Sequence, residues 1–122
     1  MTDDKGGVGA GALYGTLDVM ILKTLSDGGP MHGLSIARHI KEISDAFLQV
    51  EEGAMYPALH RLQRQGLIEG EWRISDKRRR ARFYDLTPAG RKALAAELDE
   101  WVRHTSAVNK VLGLGGAEAG AR

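Results

Sequence analysis

The sequence contains no cysteine. Disulfides and thiolate metal sites are therefore excluded, and a reducing compartment is the natural setting. No apolar run comes near the ~18 residues that a membrane span requires. The start, MTDDKGGVGAGA, is acidic and glycine-rich. That is not a secretory signal, so a cytoplasmic protein with no membrane partner is expected. GGVGAG has neither a preceding strand nor a Lys-Ser/Thr pair, so it is not a phosphate loop. His32, His39, His60 and His104 show no ligand spacing, and neither a metal nor another cofactor is expected. Glu51 and Glu52 are adjacent and Glu69 and Glu71 alternate. Nothing sets these carboxylates across a cleft, so no catalytic residue is assigned and an enzyme is not expected.

What is present is an ordinary soluble composition with one unusual charge distribution. The chain has 122 residues, the size of one domain, and a net charge of +1. Residues 60–92 nevertheless hold ten Lys/Arg against four Asp/Glu, whereas residues 1–59 hold four against eight. Lys77, Arg78, Arg79, Arg80 and Arg82 fall within six positions. A basic block between mildly acidic neighbours suggests an anionic partner.

The period of the apolar residues places the elements. TLDVMILKTLSDG reads as a helix, with Leu17, Ile21 and Leu25 four apart and Val19, Met20 and Leu22 beside them. It is apolar nearly all round, so it is expected to be buried on two sides. HGLSIARHIKEISDAF reads as a second helix with Ile36, Ile40, Ile43 and Phe47 in one stripe. EEGAMYPALHRLQRQ reads as a third, with Met55, Leu59 and Leu62 inward and Gly66 as its stop. Pro57 means that this helix either starts late or gives up one hydrogen bond. LIEGEWRI then alternates at period two, with Ile68, Gly70, Trp72 and Ile74 on one side, as a half-buried strand does. ARFYDL is a second strand-like run, so SDKRRR becomes the tip of a β-hairpin. Trp72 is expected in the core or as a lid on that hairpin. Thr87-Pro88 is an N-cap followed by proline at the first helical position. From there Leu94, Leu98, Trp101, Thr105, Val108 and Leu112 step by 4, 3, 4, 3, 4, which is a heptad seam with one polar interruption.

The fold expected is mainly α with a small β-hairpin: a winged helix-turn-helix followed by a long C-terminal dimerisation helix. Residues 1–12 read as a disordered tail, 13–86 as the DNA-binding domain, 87–112 as the dimerisation helix and 113–122 as a flexible tail. In this order of elements the third helix can enter a DNA major groove, about 12 Å wide, while the basic wing neutralises phosphates of the same duplex. The seam of α-helical apolar residues calls for a second copy. A tryptophan in a mostly aliphatic seam would hold two helices apart and leave an apolar gap suited to a flat aromatic molecule.

Three stretches carry a resemblance: GTLDVMILKTLSDGGPMHGLSIARHI, EEGAMYPALHRLQRQGLIEGEW and RRARFYDLTPAGR. Over about residues 15–112 the chain resembles the PadR family of bacterial transcriptional regulators, and its single C-terminal helix is similar to that of the short-tailed subgroup. It departs from the family where His32-Gly33 is followed by Leu34 in place of an aromatic. The resemblance implies a homodimer held by the last helix and helped by the first. It also implies repression at a pseudo-palindromic operator and release by a small ligand, which the tryptophan in the seam suggests is aromatic or hydrophobic. It makes Tyr56 a phosphate-contacting residue, with core packing as the other reading, and puts Trp101 where some members stack flat ligands, with dimer core as the other reading.

The expected DNA-facing residues are Ser35, Ala54, Tyr56, His60, Arg61, Arg64, Lys77, Arg78, Arg79, Arg80 and Arg82, although Arg64 could equally cap its helix through the dipole. The expected dimer interface is Leu17, Ile21, Leu94, Leu98, Trp101, Val108 and Leu112. The function expected is a ligand-released dimeric repressor. The alternative is a winged-helix module that binds protein and has weak or no specific DNA binding.

Overall fold

The computed structural model of the protein describes residues 8–114, with side chains from Thr16 onward. Residues 1–7 and 115–122, which belong to the two expected tails, lie outside the described residues. The elements run α1 (Val8–Gly28), β1 (Met31–His32), α2 (Gly33–Ile43), α3 (Glu52–Arg64), β2 (Ile68–Ile74), β3 (Arg80–Leu86) and α4 (Pro88–Leu112). This is the mainly helical winged arrangement expected, with one strand more. α1 opens at Val8, inside the stretch that reads as a tail. Ala10, Ala12 and Leu13 are good helix formers, and they extend the helix outward from its buried part.

α1 lies at the centre. Its Val19, Ile21, Leu22 and Leu25 pack against Ile36 and Ile40 of α2, Met55, Ala58, Leu59 and Leu62 of α3, and Ile68, Tyr84 and Leu86 of the hairpin. Leu94 is the contribution of α4. Ile21 and Leu94, expected at a dimer interface, are therefore buried in the protomer's own core. A helix apolar on every side was bound to lose some of its residues to its own domain.

α2 starts on His32, whose Nδ1 accepts from the Ser35 N–H at 3.3 Å. It ends at Ile43, and Asp45 and Ala46 then take left-handed conformations with φ of 54° and 67°. The expected stripe therefore stops short. Ile36 and Ile40 are buried, but Ile43 is 72% and Phe47 88% exposed, because Phe47 lies beyond the helix and is no longer on its face.

α3 resolves the proline question. It begins at Glu52, with the Ala54 and Met55 N–H groups both donating to the Glu51 carbonyl at 2.9 Å. Pro57 therefore sits inside the helix, which gives up one hydrogen bond at its exposed start. Gly66, at φ 77°, ends it: the Gly66 N–H donates to the Gln63 carbonyl and the Leu67 N–H to the Leu62 carbonyl, both at 3.0 Å.

The sheet is antiparallel in the order β1-β3-β2. β2 and β3 pair from Ile68↔Leu86 to Ile74↔Arg80, and Met31 and His32 add a short edge against Tyr84 and Phe83. The helices cover only the base of this hairpin. Ile68 is buried, whereas Trp72 is 55% and Ile74 66% exposed. β2 is the strand its alternation predicts, but Trp72 is neither core nor lid, since the hairpin projects past the helices that would bury it.

Thr87 joins the hairpin and α3 to α4. Its Oγ1 accepts from the Gly90 N–H at 3.0 Å and donates to the Gly66 carbonyl at 2.7 Å, while its own N–H donates to the Leu67 carbonyl at 3.1 Å. Gly90 lies so close to the Leu67 carbonyl that a Cβ would overlap it. Gly90→Ala is expected to cost about 1–3 kcal/mol, because the obstacle is backbone and cannot swing aside. Urea titration measures this, and an unchanged midpoint would show that the junction can open.

Candidate nucleic-acid interface

The exposed flank of α3 is set by helix geometry. Tyr56, His60 and Arg64 recur at four-residue spacing on one side, and Ala54 and Arg61, seven residues apart, share another. The first side faces the wing across a groove of about 880 Å³. Its helical wall includes His32, Ser35, Arg38, Tyr56 and His60, and its wing wall includes Trp72, Lys77, Arg79, Arg80 and Arg82. Arg64 is exposed one turn beyond His60, and Arg78 is exposed at the wing tip. The structure thus brings together most of the residues expected to face DNA.

Ala54 and Arg61 are not among the residues that line the groove. Ala54 borders a shallow hollow with Thr16, Leu17 and Met20 of α1. Arg61 reaches α1 as well: its Nη2 lies 2.6 Å from Asp18 Oδ1 and its Nε 3.4 Å from Oδ2, a two-point grip on a part-buried carboxylate. A side chain turned about 140° from Tyr56 cannot share its groove. Arg61→Met is expected to lower unfolding free energy by about 1–2 kcal/mol, between the values for exposed and buried pairs. Thermal and urea unfolding would register that loss, and its absence would make the pair ornamental.

Tyr56 is neither core nor fully free. It is 37% exposed, and its ring lies over Gly33, where a Cβ would come within 2.9 Å of it. Burial, then the carboxylate of Glu52 and the neighbouring Tyr84, raise its phenol pKa above the ordinary value. The hydroxyl therefore keeps its proton at neutral pH and remains a hydrogen-bond donor into the groove. Ser35 is held at the N-terminus of α2, its hydroxyl 3.2 Å from His32 Nε2.

The wing tip is ordered by one serine. Ser75 Oγ accepts from the Lys77 and Arg79 N–H groups at 3.3 Å each, the Ser75 N–H donates to the Arg79 carbonyl at 2.7 Å, and Arg78 takes a left-handed φ of 60°. Behind the tip, Arg80 and Arg82 lie over the Trp72 ring, and Arg73, on the opposite face, lies over Phe83 and pairs with Glu71. Sequence reasoning missed Arg38 and Trp72 as groove residues. Arg38 sits three positions after Ser35 on α2, which is a usable signal. For Trp72 the alternation of β2 points the wrong way.

A second groove, of about 430 Å³ and almost wholly apolar, lies between α1, the end of α2 and α4. Met20, Ile40, Ile43, Leu48, Leu98 and Trp101 line it. Along α4 the seam is partly open: Leu98, Trp101 and Val108 are about 40% exposed and Leu112 63%, and Val102 and Val111 beside it are more than half exposed. Leu17 is partly buried against the core.

Three packed helices followed by a basic antiparallel hairpin define a winged helix-turn-helix protein, and the groove places its charge where that class meets an anionic partner. The chain belongs to the PadR-like family of transcriptional regulators, whose model matches residues 21–96. It is 46% identical over 57 residues to transcriptional regulator Rv3488 of Mycobacterium tuberculosis, a match covering 47% of this chain and 52% of that protein, so the chain spans about half the length of this curated relative. Among solved structures it is similar to a transcriptional regulator from Clostridium thermocellum, with TM-score 0.73 and 28% identity over 81% of this chain and 95% of that one. It is also similar to a PadR-like transcriptional regulator from Bacillus cereus, with TM-score 0.68 and 29% identity over 82% and 94%. This family is one of transcriptional regulators and not of enzymes. Among the described residues no helix is long and apolar enough to cross a membrane.

Proposed function

We propose that the protein is a homodimeric transcriptional repressor that binds a pseudo-palindromic DNA operator and is released by a small aromatic or apolar molecule. The observation that carries this reading is the groove in which Tyr56, His60 and Arg38 face Lys77, Arg79, Arg80 and Arg82. α3, about 10–12 Å across with its side chains, fits a major groove about 12 Å wide. His60 and Arg64 are then placed to meet base edges, and Tyr56, Ser35 and the wing cations to meet phosphates. Dimerisation follows from α4. Its first two turns pack on the protomer, and the rest of its seam is only partly covered among the described residues, with Leu98, Trp101 and Val108 about 40% and Leu112 63% exposed. A second copy, related by two-fold symmetry, would cover it and give two reading helices for two half-sites.

A gel shift against the gene's own upstream region at two salt concentrations tests the DNA reading. A discrete complex that weakens steeply with salt supports it, and the absence of any complex would favour a protein-interaction module instead. The effector reading rests on Trp101, which forms one wall of the apolar groove. Trp101→Ala is expected to weaken binding of planar aromatics about tenfold while operator affinity stays within a few-fold. Fluorescence quenching, with Trp72→Phe as the background, reads this, and no quenching by any planar compound would leave Trp101 as packing.

A further inference from the structure

The cations of the wing are not equivalent. On the groove side of the hairpin, Trp72 of β2 stands directly across from Arg82 of β3 and diagonally from Arg80. The guanidinium carbons of Arg80 and Arg82 lie 4.6 and 5.7 Å from the centre of the Trp72 ring, within the range of cation–π attraction. Gly70, next along the same face, completes the arrangement: a Cβ there would fall 2.8 Å from Arg82 Nε. The strand leaves out one side chain at the place that Arg82 Nε occupies. Among the described residues neither Arg80 nor Arg82 takes part in an ion pair, whereas Arg73 on the far face is paired with Glu71 at 2.7 Å. Lys77, Arg78 and Arg79 at the tip have no aromatic support among the described residues.

Stacking and phosphate recognition use different parts of a guanidinium. The ring takes its flat face, and a phosphate takes the N–H donors along its edge in a two-point fork. A stacked arginine therefore loses no donor and gains a fixed direction. We infer that Trp72 is a positioning residue of the wing, holding Arg80 and Arg82 as two oriented forks for backbone phosphates, while the tip cations act as unoriented charges. This rests on the DNA-binding reading above.

The probe is a mixed-sequence DNA duplex, which needs no knowledge of the operator because such binding is set by phosphate contacts. Trp72→Ala in the full chain is expected to lower affinity about tenfold, the ordering cost of two long side chains. The slope of log K against log salt is expected to stay unchanged, because every charge remains. Arg80→Lys with Arg82→Lys is expected to cost a similar factor in the wild-type background and almost nothing in the Trp72→Ala background. Gly70→Ala, which displaces Arg82 and also presses on the Tyr84 ring, is expected to give a smaller loss at unchanged slope, and Trp72→Phe to retain most of the affinity. Should Trp72→Ala fail to fold by circular dichroism, Trp72→Leu takes its place in the cycle with the same expectations. Wild-type affinity in the Trp72 variants, or lysine effects that simply add, would overturn the inference and leave the DNA reading standing. A wild-type chain that binds no duplex would overturn both.

Discussion

Replacing Arg78, Arg79 and Arg80 together with alanine is expected to weaken binding to every duplex alike, on the order of a hundredfold at moderate salt. For each phosphate that the wing no longer neutralises, the slope of log K against log salt should flatten by about 0.9. The fold should survive, because all three side chains are exposed and the tip is ordered by backbone bonds to Ser75. The loss is expected to be indifferent to sequence, since phosphates position a protein and base edges specify its site. Filter binding at a series of salt concentrations, on the operator and on unrelated duplex, checks both parts. An unchanged slope would remove the wing from the DNA interface, whatever happened to affinity.

Leu98→Asp is expected to have the larger effect on specific binding. Leu98 stands where α4 leaves the protomer, and a carboxylate there would have to be buried between two copies or keep them apart. The variant should sediment as a monomer. Operator affinity should fall to the level of non-specific binding, about a thousandfold or more, because the second half-site is lost. Leu98 also lines the protomer's own groove, so Val111→Glu provides the matching control. Val111, beside the seam, is 86% exposed and outside the core among the described residues, so its substitution leaves that groove intact. A wild-type chain that is monomeric at micromolar concentration would end the dimer reading, and with it the half-site geometry.

Local chemistry explains which parts of this architecture can be read in advance. α4 is bounded to the residue because Thr87-Pro88 caps one end and Gly113, at φ 77°, the other. Gly66 closes α3 for the same reason. The hairpin and its basic tip follow from a change of period and a run of cations. The failures share a different cause, which is tertiary context. Nothing within β2 tells how far the helices cover it, so Trp72 and Ile74 look buried. Ile21 and Leu94 carry the apolar character of an interface and of a core equally, and only packing assigns them. Phe47 continues a periodic stripe whose helix has already ended at Ile43, stopped by two left-handed residues that are not glycine. Arg61 groups with its neighbours on α3 although its partner, Asp18, lies 43 positions earlier. β1, two residues long, has no period at all.

The Thr87 junction has a mechanical consequence. Its two hydrogen bonds to the Gly66 and Leu67 carbonyls, with the close seat of Gly90 on Leu67, fasten the first turn of α4 to the end of α3. α4 is 25 residues, and so about 37 Å, long. In a dimer built on α4 the two helices act as stiff arms with the reading helices clamped at their ends. A sideways shift of only about 1 Å at the end of an arm tilts it by about 1.5 degrees, and the clamp passes the tilt to α3. DNA offers its half-sites at a fixed separation of about 34 Å per turn. The register between protein and operator is then governed at the far end of α4, a long way from any base.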